Sequence, residues 1–584
     1  MRAAKTLEEP MDQPLAPAPA TLPDLTIWAS PLLKADIVAV VIIVALVAAT
    51  WAPRLWGPLD TRWDGGVYYI LGTSLAEGKG YRLLNEPGDI RAVQYPPLLP
   101  VIVAAAQRIL KTHDVLVVGP WLRVLYVVLS AALTLLVYGL ARAYLAPGYA
   151  LAAALISALS MNMYYLSDVL YTEIPFALVT VLFVLLNRRR HSEGAQVAAG
   201  LLVVVAFFLR TAGIALLAAW VGESMIRRRF GEAAVRVVVA LLPIMLWQVH
   251  ISHVQKSVEY RFPAYTYQRA PYQYSNVGYV DNTRLVDPFY PERGTASLPQ
   301  MARRIGTNLL AVPMALGETV SMPEGFWRWA IGAVNKQVGV EVLGSRFVGI
   351  MVALLGCLVM SGMAWLWFRG GVSFIPLYFM ASIALICLTP WPEQFTRYLT
   401  PLTPFLAVAL LYGLAFLSAS FGFAGRHAAG FITAVLLMVV LFVQGFSLVK
   451  NMTVLHQPAS YYDAKGKESR YPLFFYSPLW RALDNSLEWV RQRAHPRDVI
   501  AATVPHSAYL RTGLKTVLPP MVPNHAQAQR LLDSVPVKYL VVDTLEYPGI
   551  SQRYAAPLVA KHPEWWQRVY VSPGGQAAVY ERIR

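Results

Sequence analysis

Between Arg188 and Arg229 the chain reads RRRHSEGAQVAAGLLVVVAFFLRTAGIALLAAWVGESMIRRR. Within it, residues 195–226 form a largely apolar run interrupted by Arg210. One straight helix of that length would far exceed the thickness of a bilayer. The two arginine triplets belong on one side of the membrane, because cytoplasmic loops collect Lys and Arg. We therefore predict a helical hairpin with Arg210 at its outer tip.

Apolar runs recur in much of the rest of the chain. Of 584 residues, 56% are hydrophobic and 14% are charged, whereas soluble proteins have about 45–50% and 25%. The runs have the length that crosses a hydrocarbon core. This excludes a soluble enzyme, a disordered chain, a disulfide scaffold and a single-span receptor. We predict eleven transmembrane helices, at 35–52, 119–141, 149–166, 169–186, 195–209, 212–226, 234–252, 346–368, 372–388, 399–420 and 428–449.

The basic residues indicate an orientation rather than a nucleic-acid partner. The net charge is +16, but the arginines cluster between apolar runs instead of forming one basic face. With the N-terminus inside, ten arginines fall in short inner loops, and only Arg210 and Arg397 fall in short outer loops. Cys357 and Cys387 both lie in apolar runs, so neither a disulfide framework nor a thiolate metal site is expected.

The spans divide the chain into domains. Residues 1–33 are predicted to be a disordered cytoplasmic tail without the apolar stretch of a signal peptide. Residues 34–449 form the transmembrane domain, with outer loops at 53–117 and 253–345. Residues 450–584 are predicted to be an extracytoplasmic α/β domain. Its strands are expected at Val499–Val504, Lys515–Leu518, Lys538–Asp543 and Arg568–Val571, and its helices at 480–493, 525–533 and 552–561. No internal repeat typical of many transporters is found.

The first outer segment carries the most informative residues. It reads Asp60-Thr-Arg-Trp-Asp64-Gly-Gly-Val-Tyr68 directly after the first span, and Gln94-Tyr95-Pro-Pro-Leu98 follows about thirty residues later. A carboxylate at a membrane boundary can act as a base, because partial removal from water strengthens its hold on a proton. The alternative is that Asp60 and Asp64 are ordinary solvated acids.

The order of these motifs resembles the GT-C superfamily of polyprenyl-phosphate-sugar-dependent glycosyltransferases. It is most similar to the branch of aminoarabinose transferase and protein O-mannosyltransferase. Asp64, Tyr68 and the Tyr95–Leu98 run match the Asp, the Tyr and the Pro-Pro-Leu element of that branch. Ser167-Asp168-x-x-x-x-Glu173 and Arg397-Tyr398-x-x-Pro401 are further similarities.

Three positions depart from the best-known branch. The Glu that follows the family's Asp is Gly65 here, the basic residue before Pro-Pro is Tyr95, and the Glu before that is Gln94. The donor-phosphate contacts of that branch therefore cannot be copied, and aminoarabinose as donor is not supported.

The resemblance implies a mechanism and a set of roles. One sugar would leave its polyprenyl phosphate by a single displacement with inversion, and no nucleotide is required. Asp64 would be the base, with Asp60 as a substitute or as its orienting partner. Arg210, Arg397 and Tyr95 would hold the donor phosphate, although both arginines could instead anchor to lipid head groups.

Other polar residues are candidates for binding the substrate, the acceptor or the phosphate. Tyr68, Gln94, Asp168 and Glu173 are assigned to substrate and acceptor, but the last two could also orient the base, hold a divalent ion or be solvated. Two carboxylates without a His cluster do not predict a metal, so no cofactor is predicted. Lys79, Arg82 and Arg91 are weaker phosphate candidates. The seven tyrosines between 260 and 290 favour either sugar binding or an interfacial aromatic belt.

The resemblance therefore implies an integral-membrane glycosyltransferase. It would act at the outer face of a bacterial inner membrane, on a glycan, lipid or protein acceptor. A transporter or flippase for a lipid-linked saccharide, or a non-catalytic glycan-binding scaffold, is the alternative. A transporter would need ionisable groups at mid-membrane, and here they cluster at span ends. The sequence leaves open the sugar, the acceptor and the oligomeric state.

Overall fold

The computed structural model describes residues 34–339, 344–420, 423–463 and 466–584. The predicted tail 1–33 lies outside this part. The helices are α1 (Lys34–Trp51), α2 (Asp64–Ala76), α3 (Leu98–Leu110), α4 (Val115–Arg142), α5 (Pro147–Leu159), α6 (Met161–Leu166), α7 (Glu173–Asn187), α8 (Glu193–Leu209), α9 (Gly213–Ile226), α10 (Phe230–Gln255), α11 (Val258–Arg261), α12 (Tyr279–Thr283), α13 (Leu298–Val320), α14 (Glu324–Val338), α15 (Ser345–Phe368), α16 (Phe374–Cys387), α17 (Phe395–Leu399), α18 (Thr403–Ser420), α19 (Phe423–Lys450), α20 (Pro478–Arg491), α21 (Pro505–Thr512), α22 (His525–Asp533) and α23 (Ala556–Lys561).

The strands are β1 (Arg82–Leu83), β2 (Ile90–Arg91), β3 (His456–Tyr462), β4 (Glu468–Phe474), β5 (Val499–Ala501), β6 (Lys515–Val517), β7 (Val537–Asp543), β8 (Trp566–Val571) and β9 (Ala577–Arg582).

Each of the eleven predicted spans coincides with a helix. Among the described residues, six helical segments are long and apolar enough to cross a membrane, and they overlap α1, α4, α10, α15, α18 and α19. The other five predicted spans are α5, α7, α8, α9 and α16, which have only 13 to 17 residues. At 1.5 Å per residue these helices are shorter than a hydrocarbon core about 30 Å thick. Irregular backbone within a bundle is tolerated where it lines a cavity, and α7, α8 and α9 all have one end at the cavity described below.

The hairpin predicted around Arg210 is confirmed. Helix α8 ends at Leu209 and α9 begins at Gly213, and Arg210 between them has an extended backbone with φ −154°. The turn is tight, since a Cβ on Gly213 would lie 2.8 Å from the backbone of Phe207.

The two predicted outer loops contain more regular structure than expected. Helices α2 and α3 and the β1–β2 hairpin lie in 53–117, and α11 to α14 lie in 253–345. Helix α13 packs so closely on α15 that a Cβ on Gly317 would overlap the carbonyl of Val352. Arg303 and Arg304 in the first half of α13 explain why hydropathy alone does not reveal it as a bundle helix.

The predicted α/β domain after the last span is confirmed. Its five-stranded sheet has the order β6-β5-β7-β9-β8, with β5 parallel to β6 and β7, and β9 antiparallel to β7 and β8. The four predicted strands correspond to β5 to β8. Strand β9, helix α21 and the antiparallel β3–β4 hairpin were not predicted.

The tyrosine-rich segment packs against this domain. Tyr265, Tyr267 and Tyr272 are buried in one core with Val499, Val517 and other residues of the sheet. These three tyrosines therefore join the transmembrane part to the tail domain, a role that neither interpretation from the sequence included.

Candidate active site

Asp64 is the first residue of α2, and its carboxylate lies at the centre of a polar cluster. Its Oδ2 accepts a hydrogen bond of 2.6 Å from Arg397, and its Oδ1 accepts one of 3.0 Å from the Tyr95 hydroxyl. The preceding Trp63 has φ +56°, which is costly for a large residue and typical of functional sites. Burial, followed by the charge of Asp64, raises the pKa of Tyr95 well above its usual value. The hydroxyl therefore stays protonated and donates the hydrogen bond to Asp64.

Glu173 joins the two arginines that the sequence placed in outer loops. Its Oε1 lies 2.6 Å from Nη1 of Arg210 and 2.9 Å from Nε of Arg397. The Glu173 side chain is fully buried, whereas Arg210 and Arg397 are 16% and 24% exposed. The charged groups therefore form a continuous row, Arg210–Glu173–Arg397–Asp64, whose arginines and Asp64 remain partly open to a ligand.

This row borders a cavity of about 860 Å³. Its polar wall includes six of the predicted site residues, which are Asp64, Tyr68, Gln94, Tyr95, Arg210 and Arg397. Aromatic side chains surround them, namely Trp63, Tyr171, Tyr274, Tyr279, Tyr398 and Tyr547. An apolar wall is made by Phe207, Ile214, Ile244, Trp247, Ile251, Leu385 and Ile386.

Gln94 lines the cavity and has an unpaired side-chain oxygen. Its side-chain amide donates to Oδ1 of Asn282 at 3.1 Å, while its Oε1 is buried without a hydrogen-bond partner among the described residues. An unpaired buried carbonyl is costly, and this oxygen has almost no surface exposed to the cavity.

Asp60 and Asp168 lie outside the cavity lining, in a buried network behind it. Asp60 pairs with Arg62 at 2.7 Å, and Arg62 also donates to the carbonyls of Phe474 and Phe475. Asp168 forms a close ion pair with Arg123, which also donates to the carbonyls of Arg54, Gly57 and Pro58. The structure thus places both aspartates where they fix the chain leading to Asp64.

The weaker phosphate candidates of the first outer segment also lie elsewhere. Lys79 pairs with Glu77 at 2.7 Å, and Arg82 and Arg91 both face Glu259, at 3.1 and 3.8 Å. These are partly exposed ion pairs, which typically contribute little to stability.

Several residues that line the cavity were not predicted from the sequence. Tyr171 lies under the Arg397 guanidinium, 4.3 Å from its ring centroid. Tyr547 reaches the cavity from the tail domain and packs against Trp63, with ring centroids 5.9 Å apart. Tyr171 could have been noticed between Asp168 and Glu173, but Tyr547 is distant in sequence and lies in no motif.

Among the described residues, no group of three or more His, Cys, Asp or Glu side chains is placed to hold a metal ion.

The chain matches no family model and no curated protein. It is similar to the solved structure of the Archaeoglobus fulgidus oligosaccharyltransferase tethered with an acceptor peptide, with 14% identity and a TM-score of 0.46 over 94% of this chain and 74% of that one. ArnT from Cupriavidus metallidurans bound to undecaprenyl phosphate gives 12% identity and a TM-score of 0.38 over 93% and 97% of the two chains. Its apo state gives 13% and 0.39, over 94% and 98%.

Identity and TM-score are both low, so the function proposed below is derived from the geometry of the site alone.

Proposed function

We propose that this protein is an integral-membrane glycosyltransferase that moves one sugar from a polyprenyl-phosphate carrier to an acceptor outside the cytoplasm. The observation that carries the proposal is the position of Asp64. Its carboxylate borders a large cavity, is bound by Arg397 and Tyr95, and faces a space with one polar and one apolar wall.

Asp64 is the proposed base. The acceptor hydroxyl would give its proton to the carboxylate while its oxygen forms a bond to the anomeric carbon and the bond from that carbon to the phosphate oxygen breaks. A carboxylate can accept about four hydrogen bonds, so Tyr95 and Arg397 leave room for the acceptor. Asp60 is less suited to this role, because it already accepts four hydrogen bonds from Arg62 and lies outside the cavity lining.

Arg210 and Arg397 are the proposed partners of the leaving phosphate. Guanidinium groups bind phosphate oxygens well, and fixed positive charge stabilises the negative charge that builds up as the sugar leaves. Glu173 would hold the two groups apart at a set spacing, since it binds both. We assign Glu173 to positioning the arginines, and Tyr68 and Gln94 to binding the sugar or the acceptor.

The apolar wall suits the polyprenyl chain. Phe207 and Ile214 lie on either side of Arg210 in sequence, and Ile214 is 41% exposed. The phosphate would then meet Arg210 where the apolar wall ends. We further propose a bacterial inner membrane, with the N-terminus in the cytoplasm and the tail domain outside.

The decisive experiment is sugar transfer by purified protein in nanodiscs. Radiolabelled polyprenyl-phosphate sugars would be the donors, and a membrane extract would supply acceptors. General base catalysis contributes about 10²- to 10⁴-fold, so Asp64→Asn should lower the transfer rate by that factor. Asp498→Asn, which changes a carboxylate of the tail domain remote in sequence, is the matched control and should transfer normally.

Two results would contradict the proposal. Transfer that survives Asp64→Asn would overturn the assignment of the base. No transfer from any donor by folded protein, with movement of the lipid-linked sugar across the bilayer instead, would favour a transporter; binding without either would favour a glycan-binding scaffold.

A further inference from the structure

We propose that the end of the helix bundle opposite the cavity binds the phosphate head group of an anionic membrane lipid. The site lies where the α7–α8, α9–α10 and α15–α16 connections meet around Glu223. It is separate from the proposed transfer reaction and does not depend on it.

The helix lengths place this site far from the cavity. Helix α7 runs from Glu173, beside the cavity, to Asn187, and α9 runs from Gly213 to Ile226. With a rise of 1.5 Å per residue, each spans about 20 Å. Glu223, in the last turn of α9, is thus at the far end of the bundle from Arg210.

Glu223 is the centre on which the three connections converge. Its side chain is only 3% exposed. Five side chains lie within 3.5 Å of its carboxylate, namely Asn187, Arg190, Arg227, Arg236 and Ser373. The preference of arginine for the cytoplasmic face explains why Arg190, Arg227 and Arg236 lie on this side of the membrane. It does not explain why all three contact one buried carboxylate.

The cluster carries more positive charge than its own acids can balance. Segments 187–193 and 223–236 together hold seven arginines and three glutamates. Arg189 and Arg228 are exposed and form no ion pair with a described carboxylate. Like charges held this close repel one another, and a phosphate group between the two loops would offset that repulsion.

Apolar side chains beside the arginines indicate a lipid rather than a soluble anion. Met225, Ile226 and Phe230 are 55%, 50% and 67% exposed, although they flank Arg227–Arg229. A ligand that matches both features has a phosphate on an acyl or prenyl tail. Basic clusters at membrane surfaces attract such lipids with about 1 kcal/mol per residue, which is a factor of about five in affinity.

The test is a lipid titration of the full chain in a neutral detergent, followed by the thermal unfolding midpoint. Phosphatidylglycerol should raise the midpoint more than phosphatidylcholine at equal concentration. The double variant Arg189→Gln/Arg228→Gln leaves every partner of Glu223 in place, and it should need about 25-fold more phosphatidylglycerol for half of the effect. Arg497→Gln/Arg568→Gln removes two exposed arginines from the tail domain and should behave as the wild type.

Further titrations of the same protein show which phosphate compound occupies the site. A polyprenyl phosphate that acts at a lower concentration than phosphatidylglycerol would identify the carrier lipid as the occupant, and the reverse order would identify bulk phospholipid. The proposal is wrong if both phospholipids stabilise equally, if the double variant keeps its affinity, or if glycerol 3-phosphate stabilises as well as the lipid.

Discussion

Glu173 is the residue on which both arginines of the site depend. Removing one partner of a buried ion pair typically costs about 3–5 kcal/mol, because the remaining charge is left uncompensated. We expect Glu173→Gln to lower the free energy of unfolding by about that amount and to reduce sugar transfer, as measured by denaturation in detergent and by the transfer assay.

Glu393 offers a matched control for this variant. It lines the same cavity but is exposed, and it forms no ion pair with a described arginine or lysine. Glu393→Gln should change stability by less than about 0.5 kcal/mol. Equal stability of the two variants would show that Glu173 does not hold the arginines.

His506 predicts a pH dependence of stability. It is the second residue of helix α21 in the tail domain and contacts Gly66 in α2, and burial lowers its pKa from 6.5 to about 4. Below pH 6.5 the unfolded chain takes up a proton at this residue, whereas the folded protein does so only near pH 4. His506 therefore does not reduce the free energy of unfolding above pH 6.5. As the pH falls from 6.5 towards 4, it lowers the free energy of unfolding by about 1.4 kcal/mol per pH unit.

The measurement is the unfolding free energy of wild type minus that of His506→Gln between pH 7 and pH 4. Taking the difference cancels groups common to both proteins. A difference that stays constant with pH would show that His506 is protonated in the folded state as easily as in water.

At the scale of elements, the crossing of α13 and α15 requires glycine. A Cβ on Gly356 would overlap the carbonyl of Pro313, and one on Gly317 would overlap that of Val352. Gly356→Ala should therefore lower the free energy of unfolding by roughly 1–3 kcal/mol or more. Gly306 in α13 has no atom near the position of a Cβ, so Gly306→Ala should leave stability unchanged or raise it by up to about 1 kcal/mol. Thermal unfolding in detergent compares the two, and equal midpoints would contradict the close crossing.

At the scale of the whole molecule, the arginine distribution predicts which side each end faces. Arg228 and Arg568 are both exposed, in the α9–α10 connection and on β8 of the tail domain. In bacterial cells with an opened outer membrane, an impermeant maleimide should label Arg568→Cys but not Arg228→Cys, which should react only after the inner membrane is permeabilised. The native Cys387 is buried and Cys357 lies in a membrane helix, so background labelling should be low. The reverse pattern would invert the proposed topology.

The tail domain also completes the site. Tyr547 lines the cavity, Trp480 packs against Trp63 with ring centroids 5.1 Å apart, and Arg62 donates to the carbonyl of Phe474. Trp63, the residue before Asp64, is therefore held in its positive-φ conformation by contacts with a domain formed by the C-terminal part of the chain.

The sequence by itself located a helix at each of the eleven predicted spans, because the length and hydrophobicity of a span are local properties. It did not reveal α13, whose first half carries Arg303 and Arg304. It also identified most of the polar wall, since Asp64, Tyr95 and the lone outer arginines Arg210 and Arg397 stand out in local motifs and charge patterns. The hairpin at Arg210 followed from the same reasoning, because a membrane limits how far one helix can run.

Only the tertiary structure decided which polar residues share the site. Asp60 and Asp64 look equivalent in sequence, but Arg62 occupies the first and the cavity borders the second. Asp168 and Glu173 differ in the same way. Asp168 pairs with Arg123 behind the cavity, whereas Glu173 pairs with Arg210 and Arg397, which line it. These assignments depend on contacts between residues far apart in the chain, and such contacts leave no local pattern from which they could be predicted.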